Sequence, residues 1–113
     1  MALVYKICPA ADWSAAETAG HFTGSPVDHA DGFIHLSGAP QVRETARRHF
    51  GGQEGLVLVA FPEEALPGLR WEPSRGGDLF PHVYGVIDPA AALWVRPLPI
   101  RDGAHAFPPE VPL

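Results

Sequence analysis

The chain has 113 residues, a net charge of −5, and 46% hydrophobic against 19% charged residues, a globular composition with room for one domain. Its 13 prolines and 12 glycines exclude a long-helix bundle and favour short elements joined by many turns. The acidic charge disfavours a nucleic-acid binder. The sequence has neither a membrane-length apolar run nor a secretory signal, so we expect a cytoplasmic protein of bacterial type without a membrane partner.

Short elements follow one another through the first half of the chain. Residues 2–8 (ALVYKIC) have the β-branched and aromatic content of a strand, and a short helix then runs to Gly20. Residues 21–32 are polar and rich in Gly, Pro and Asp, which predicts a loop of a length that is often functional. A strand over 33–37 (FIHLS) precedes an amphipathic helix over 40–50.

Strands dominate the second half. Residues 56–61 (LVLVAF) form a continuous apolar run, which predicts a central strand covered on both faces. Shorter strands are expected over 69–72, over 79–85 with an interruption at Pro81, and over 92–98. This order predicts an α+β domain with two short helices from the first half and a mostly antiparallel sheet.

The strand FIHLS carries the first candidate site residues. In an extended backbone Phe33, His35 and Ser37 project from one face, so an imidazole and a hydroxyl point in one direction. A buried imidazole is unfavourable unless its nitrogens are hydrogen-bonded. His35 is therefore either a pocket residue or a core histidine that a backbone carbonyl satisfies.

The segment FPHVYG supplies a second imidazole. His82 and Tyr84 share one side of an extended backbone and would line a slot for a planar ligand. The alternative is a tight corner at Pro81 in which Tyr84 only packs.

The segment WEPSRGG collects further candidates. Glu72 ends a strand, where its carboxylate would accept hydrogen bonds from ligand hydroxyls or act as a base, although exposed strand-end glutamates are common. Trp71 and Ser74 are candidate ligand contacts, and Gly77 would let backbone amides approach an anion, although a plain β-turn explains the glycines equally well.

Metal and hydrolase chemistry have no support in the spacing. The histidines show no HExxH pattern, no cysteine pair exists, and no GxSxG precedes a candidate nucleophile. We therefore expect no metal site. Cys8 ends an apolar strand and is expected to be a small buried hydrophobe.

DGFIHLS (31–37), Gln41 in the helix that follows, and WEPSRGGDLFPHVYG (71–85) together resemble the small bacterial domain-of-unknown-function family 952. The resemblance covers the chain from YKIC at 5–8 to a strand ending near Leu98. The chain length and the sequence after Pro99 predict a single domain at 1–98 and an irregular tail at 99–113, which lies outside the resemblance and is expected to pack on or near the domain.

The family resemblance implies a split antiparallel sheet similar to the ADP-ribosylation fold of NAD-dependent ADP-ribosyltransferases and RNA 2′-phosphotransferases. Those enzymes hold NAD with a first-strand His or Arg, a Ser or Tyr, and a later Glu. Here the first strand carries Tyr5-Lys6, the second motif carries His35 and Ser37, and Glu72 stands as the third position. The resemblance thus implies a cleft for NAD or another ribose phosphate, with His35 and Glu72 as candidate catalytic residues.

Two other functions remain open on the sequence. The same cleft would serve a binding module for a small molecule or a protein without turnover. Alternatively, the motifs are core and turn determinants, in which case His35 and His82 lie buried, apart from each other and distant from any pocket.

Overall fold

The computed structural model describes residues 2–112, and it is an α+β fold with antiparallel strand pairing, as the order of elements predicts. None of the helices described in this range is long and apolar enough to cross a membrane.

Short 3₁₀ turns lie at Glu63–Ala65, Arg75–Gly77 and Pro89–Ala91. The helices and strands are, in order, β1 (Leu3–Pro9), α1 (Ala10–Ala19), α2 (Pro26–Asp31), β2 (Ile34–His35), β3 (Ser37–Gly38), α3 (Val42–His49), β4 (Leu56–Pro62), β5 (Leu69–Pro73), β6 (Leu79–Val83), β7 (Trp94–Pro97), β8 (Ile100–Arg101) and β9 (Ala104–His105).

The strands form two main sheets. The larger has the order β3-β1-β4-β7 and the smaller the order β2-β6-β5. The long pairing of β1 with β4 runs from Leu3 opposite Pro62 to Pro9 opposite Leu56. β3 is short and pairs only with Val4 and Tyr5. The edge of β1 beyond Tyr5 is therefore left open beside the smaller sheet.

Side chains that alternate along the central strands divide the core into two clusters. On β1, Val4 and Cys8 pack into one cluster, while Tyr5 and Ile7 pack into the other. β4 likewise sends side chains into both, so the prediction of a strand covered on both faces is confirmed. α1 buries Trp13 against the first cluster, and α3 buries Val42 and Ala46 against the second.

The predicted loop over 21–32 is wrong, because it contains α2 and thereby brings the described α-helices to three rather than two. Ser25 precedes the helix, Pro26 is its first residue, and the Asp28 carboxylate accepts a 2.8 Å hydrogen bond from the Ser25 backbone N–H. Proline at the first helical position and a carboxylate in the first turn both favour helix initiation. The helix ends at Asp31 and is followed by Gly32, whose φ of +84° lies in the left-handed region.

The predicted single strand over 33–37 is also wrong, because the chain passes from one sheet to the other at Leu36. Ile34 and His35 pair with β6 in the smaller sheet, whereas Ser37 pairs with Tyr5 in the larger. Tertiary pairing rather than local pattern determines this division.

The tail is not irregular throughout. Residues 100–105 form the β8–β9 hairpin around Asp102-Gly103, whose φ values of +53° and +80° suit a two-residue hairpin turn. Val111 is buried in the second core cluster, and the Arg43 guanidinium donates hydrogen bonds to the carbonyls of Val111 and Pro112.

Candidate functional site

A cleft of about 600 Å³ lies where the open edge of β1 meets the smaller sheet. β1, α2, α3 and β6 all contribute to its walls. Ligand sites commonly have volumes of about 300–1,000 Å³, so the cleft is large enough for a small molecule. We call it the seam cleft; its polar lining includes Lys6, Asp31, His35, Ser37, Ser74 and His82.

A buried carboxylate organises the wall formed by α2. Asp28 is 2% exposed and accepts hydrogen bonds from Lys6 Nζ at 2.8 Å and from the backbone N–H of His35 at 3.0 Å. The ring Nδ1 of His35 lies 2.6 Å from the same carboxylate. Lys6 Nζ also donates to the carbonyl of His35 at 2.9 Å. Lys6 and Asp28 together fix both the backbone and the ring of His35.

Two opposing effects act on the pKa of Asp28. Burial raises it, but the Lys6 charge and the hydrogen bonds from Lys6, Ser25 and the His35 backbone outweigh burial and hold this pKa at about 2. Asp28 is therefore ionised at neutral pH and forms a buried ion pair with Lys6.

The His35 ring lies between two carboxylates. Its Nδ1 contacts Asp28, and its Nε2 lies 2.8 Å from Oδ2 of Asp31 at the surface end of α2. A neutral imidazole donates through one nitrogen only, whereas the protonated ring donates through both. His35 is about one-third exposed, and both it and Asp31 line the seam cleft.

The second imidazole has its own carboxylate. His82 is 3% exposed, and its Nδ1 lies 2.8 Å from Oε1 of Glu72. Tyr84 donates its hydroxyl to the same Glu72 oxygen at 2.8 Å. These two hydrogen bonds lower the pKa of Glu72, and the bond to Glu72 raises the pKa of Tyr84. Because Glu72 engages Nδ1, a ligand in the cleft would meet His82 through Nε2.

Phe33 connects the two imidazoles. Its ring centroid is 4.7 Å from that of His35, 4.1 Å from that of His82 and 5.3 Å from that of Tyr84. The two imidazole rings are 5.5 Å apart and meet edge to face. This cluster excludes the expectation that the two histidines lie apart and distant from a pocket.

The structure brings together only part of the predicted site. His35, Ser37, Ser74 and His82 line the seam cleft, and Ser37 donates its hydroxyl to Thr45 at 3.1 Å. The remaining candidates, Glu72, Trp71, Gly77 and Tyr84, are not among the residues that line it.

Each of those four has a different setting. Glu72 contacts His82 but does not line the cleft. Tyr84 is 44% exposed and follows the last residue of β6. Trp71 lines a separate cavity of about 390 Å³, where its Nε1 donates to Glu63 at 2.6 Å. Gly77 lies in the 3₁₀ turn at Arg75–Gly77.

Sequence reasoning missed Lys6, Asp28 and Asp31 as site residues. A lysine within an apolar strand, such as Lys6, indicates a nearby carboxylate, because a buried ammonium needs a partner of opposite charge. The Ser25-Pro26 pair before Asp28 is a helix-start signal that would have placed this carboxylate in the first turn of a helix.

The described residues contain no group of three or more His, Cys, Asp or Glu side chains that would hold a metal ion. Cys8 is 1% exposed, as expected for a small buried hydrophobe. Burial raises the pKa of its thiol to about 12, so the thiolate is not formed at neutral pH.

Protein CC0527 from Caulobacter crescentus has 45% sequence identity to this chain. Its crystal structure superimposes with a TM-score of 0.87 over 92% of this chain and 93% of that chain. The crystal structure of a double mutant of CC0527 gives 44% identity and a TM-score of 0.87 over the same shares. The solution NMR structure of CC0527 gives 45% sequence identity and a TM-score of 0.80, over 91% of this chain and 90% of that chain. No curated protein matches the chain. Residues 7–95 match the family described as "Protein of unknown function (DUF952)", and the chain belongs to this family.

Proposed function

We propose that the seam cleft binds NAD or another ribose-phosphate ligand, and that the two-sheet architecture is of the ADP-ribosylation type. The observation that carries this proposal is the pair of imidazoles, His35 and His82, whose rings are 5.5 Å apart at one cleft. Each is oriented through Nδ1 by a carboxylate, Asp28 for one and Glu72 for the other. Oriented imidazoles are suited to hydrogen-bond ligand hydroxyls and phosphates and to transfer protons.

The other walls of the cleft suit the same class of ligand. Ser37 and Ser74 supply hydroxyls that donate or accept hydrogen bonds. Phe80 and Leu36 supply apolar surface on which a base or sugar ring packs. Lys6 adds a fixed positive charge, although Asp28 balances much of it.

A second candidate function is ligand binding without turnover. It is favoured by Glu72, since one of its oxygens already accepts hydrogen bonds from His82 and Tyr84 and its side chain does not line the cleft. A carboxylate in that position orients His82 and does not reach a reacting ribose. In this version of the proposal, Glu72 is a positioning residue.

Thermal unfolding in the presence of NAD, ADP-ribose and a 2′-phosphorylated nucleotide tests the proposal. We expect at least one of them to raise the melting temperature, and the His35→Ala variant to lose that shift. His21→Ala is the matched control, because His21 is exposed and is not among the residues that line the seam cleft. No shift at millimolar ligand contradicts the proposal. Release of nicotinamide from NAD would distinguish turnover from binding alone.

A further inference from the structure

The carboxylate of Asp31 occupies the one ring nitrogen of His35 that a ligand would use. Asp28 engages Nδ1, and Asp31 Oδ2 lies 2.8 Å from Nε2. The two carboxylates differ in burial, since the side chain of Asp31 is 47% exposed and that of Asp28 is 1% exposed. The Asp28 contact is part of the core, whereas the Asp31 contact lies at the mouth of the cleft.

The position of Asp31 in the chain allows this contact to open. Asp31 is the last residue of α2, and Gly32 follows it in the left-handed conformation. The Asp31 carboxylate contacts the His35 ring from this last position of the helix. A partly exposed contact of this kind between an imidazole and a carboxylate is weak, so a ligand anion can replace the carboxylate.

We infer that the ligand places an anionic phosphate oxygen on Nε2 of His35 and displaces the Asp31 carboxylate. The inference rests on the proposed function of the seam cleft and deepens it by assigning the phosphate, rather than a ribose hydroxyl, to His35. A phosphate oxygen replaces one charge-assisted hydrogen bond with another, whereas a neutral hydroxyl would replace it with a weaker bond.

Groups that favour and groups that oppose an anion both line the cleft near His35. The Lys6 ammonium favours an anion and the His49 imidazole can donate to one, whereas the carboxylates of Asp31 and Asp12 repel it. Displacement moves the Asp31 charge away from Nε2. The neighbouring Asp28 charge remains paired with Lys6.

Asp31 is thus an internal competitor that weakens anion binding. The apparent dissociation constant is the intrinsic one divided by the fraction of molecules in which Nε2 is accessible. Replacing Asp31 by Asn keeps the shape and removes the competing charge. We expect the Asp31→Asn variant to bind an anionic probe about two- to five-fold more tightly than the wild type.

Isothermal titration calorimetry with inorganic pyrophosphate, at pH 7 and constant ionic strength, measures this effect. The matched control is Asp12→Asn, which removes the same charge from the cleft wall without touching His35. Asp31→Ser is a second variant that removes the carboxylate by truncation, and circular dichroism checks the fold of each protein.

Tighter pyrophosphate binding by both Asp31 variants, with a smaller change in Asp12→Asn, supports displacement. Unchanged or weaker binding by Asp31→Asn, or the same gain in Asp12→Asn, overturns it, as does the lack of pyrophosphate binding by Asp31→Asn at about 10 mM. Titration with ADP-ribose separates the two proposals. If no variant binds ADP-ribose while pyrophosphate behaves as expected, the ribose-phosphate function fails and the anion site stands.

Discussion

Lys6 Nζ and the Asp28 carboxylate form a 2.8 Å ion pair in which the two side chains are only 6% and 1% exposed. The pair joins the central strand β1 to the short helix α2, and through Asp28 it also holds the backbone and ring of His35. The stability of the core and the geometry of the candidate site therefore depend on the same contact.

Replacing Lys6 by Met tests this dependence. The substitution removes the ammonium that pairs with the buried Asp28 carboxylate, and breaking a buried ion pair in this way typically costs about 3–5 kcal/mol. We expect a loss of this size in the free energy of unfolding measured with urea. Glu110→Gln is the control, since it breaks the exposed Arg96–Glu110 pair and is expected to cost about 0–1 kcal/mol. A Lys6→Met variant within about 1 kcal/mol of the wild type would show that the pair is unimportant.

The pKa of Asp28 predicts a dependence of stability on acid. This pKa falls from 3.8 to about 2 on folding, so the unfolded state binds the proton more tightly and protonation favours unfolding. The contribution is present above about pH 4 and is lost as the pH falls toward 2, with a size of about 2 kcal/mol.

Urea unfolding of the wild type and of Asp28→Asn at several pH values between 6 and 2 measures this contribution. The difference in stability between the two proteins should be constant at the upper end of this range and should shrink by about 2 kcal/mol at the lower end. A difference that does not change with pH would mean that Asp28 titrates alike in the folded and unfolded states.

Gly24 is expected to resist substitution because it approaches Asp28 closely. Its φ is +98°, and a Cβ placed on it would lie 2.7 Å from the Cβ of Asp28. Gly52 has a φ of +78° and nothing within 4 Å, so Gly52→Ala reports the backbone cost alone, about 1–2 kcal/mol. We expect Gly24→Ala to cost about 1–3 kcal/mol more than Gly52→Ala in chemical denaturation. Equal costs would refute the close approach.

Cys8 should be unreactive in the folded protein. Its thiol is buried and its pKa is raised to about 12, so both access and thiolate formation are opposed. A thiol reagent such as Ellman's reagent should modify Cys8 at pH 8 only after unfolding in denaturant. Rapid modification of the native protein would contradict the burial of this side chain.

Patterns within a few residues are enough to predict much of the fold. The apolar run over 56–61 is the buried strand β4, and the amphipathic spacing over 40–50 is the helix α3, with its ends moved inward to Val42 and His49. Both patterns depend only on residues that are close in sequence, and both agree with the burial of these elements in the structure.

Two elements were missed although their sequences contain signals. Ser25-Pro26 marks the start of α2, and Asp102-Gly103 marks the turn of the β8–β9 hairpin. Both elements are very short, so their turn residues are more informative than any hydrophobic pattern.

The candidate site was harder to predict, because it is assembled from distant segments. His35 and His82 were singled out from their local sequences, but their proximity depends on pairing between β2 and β6. Lys6 and Asp28 are 22 residues apart, and no local pattern encodes their contact. The point at which the chain leaves one sheet for the other, at Leu36, likewise depends on tertiary pairing.

Mapping ADP-ribose onto the protein by ¹H–¹⁵N NMR tests the central claim most directly. We expect saturable shifts at the backbone amides of the seam cleft, including those of Lys6, His35, Ser37 and His82, with no comparable shifts in the β8–β9 hairpin. The shifts should disappear in His82→Ala and persist in His21→Ala, because His21 is exposed and does not line the seam cleft. No saturable shifts at millimolar ligand, or shifts centred away from the cleft, would contradict a ribose-phosphate site at His35 and His82.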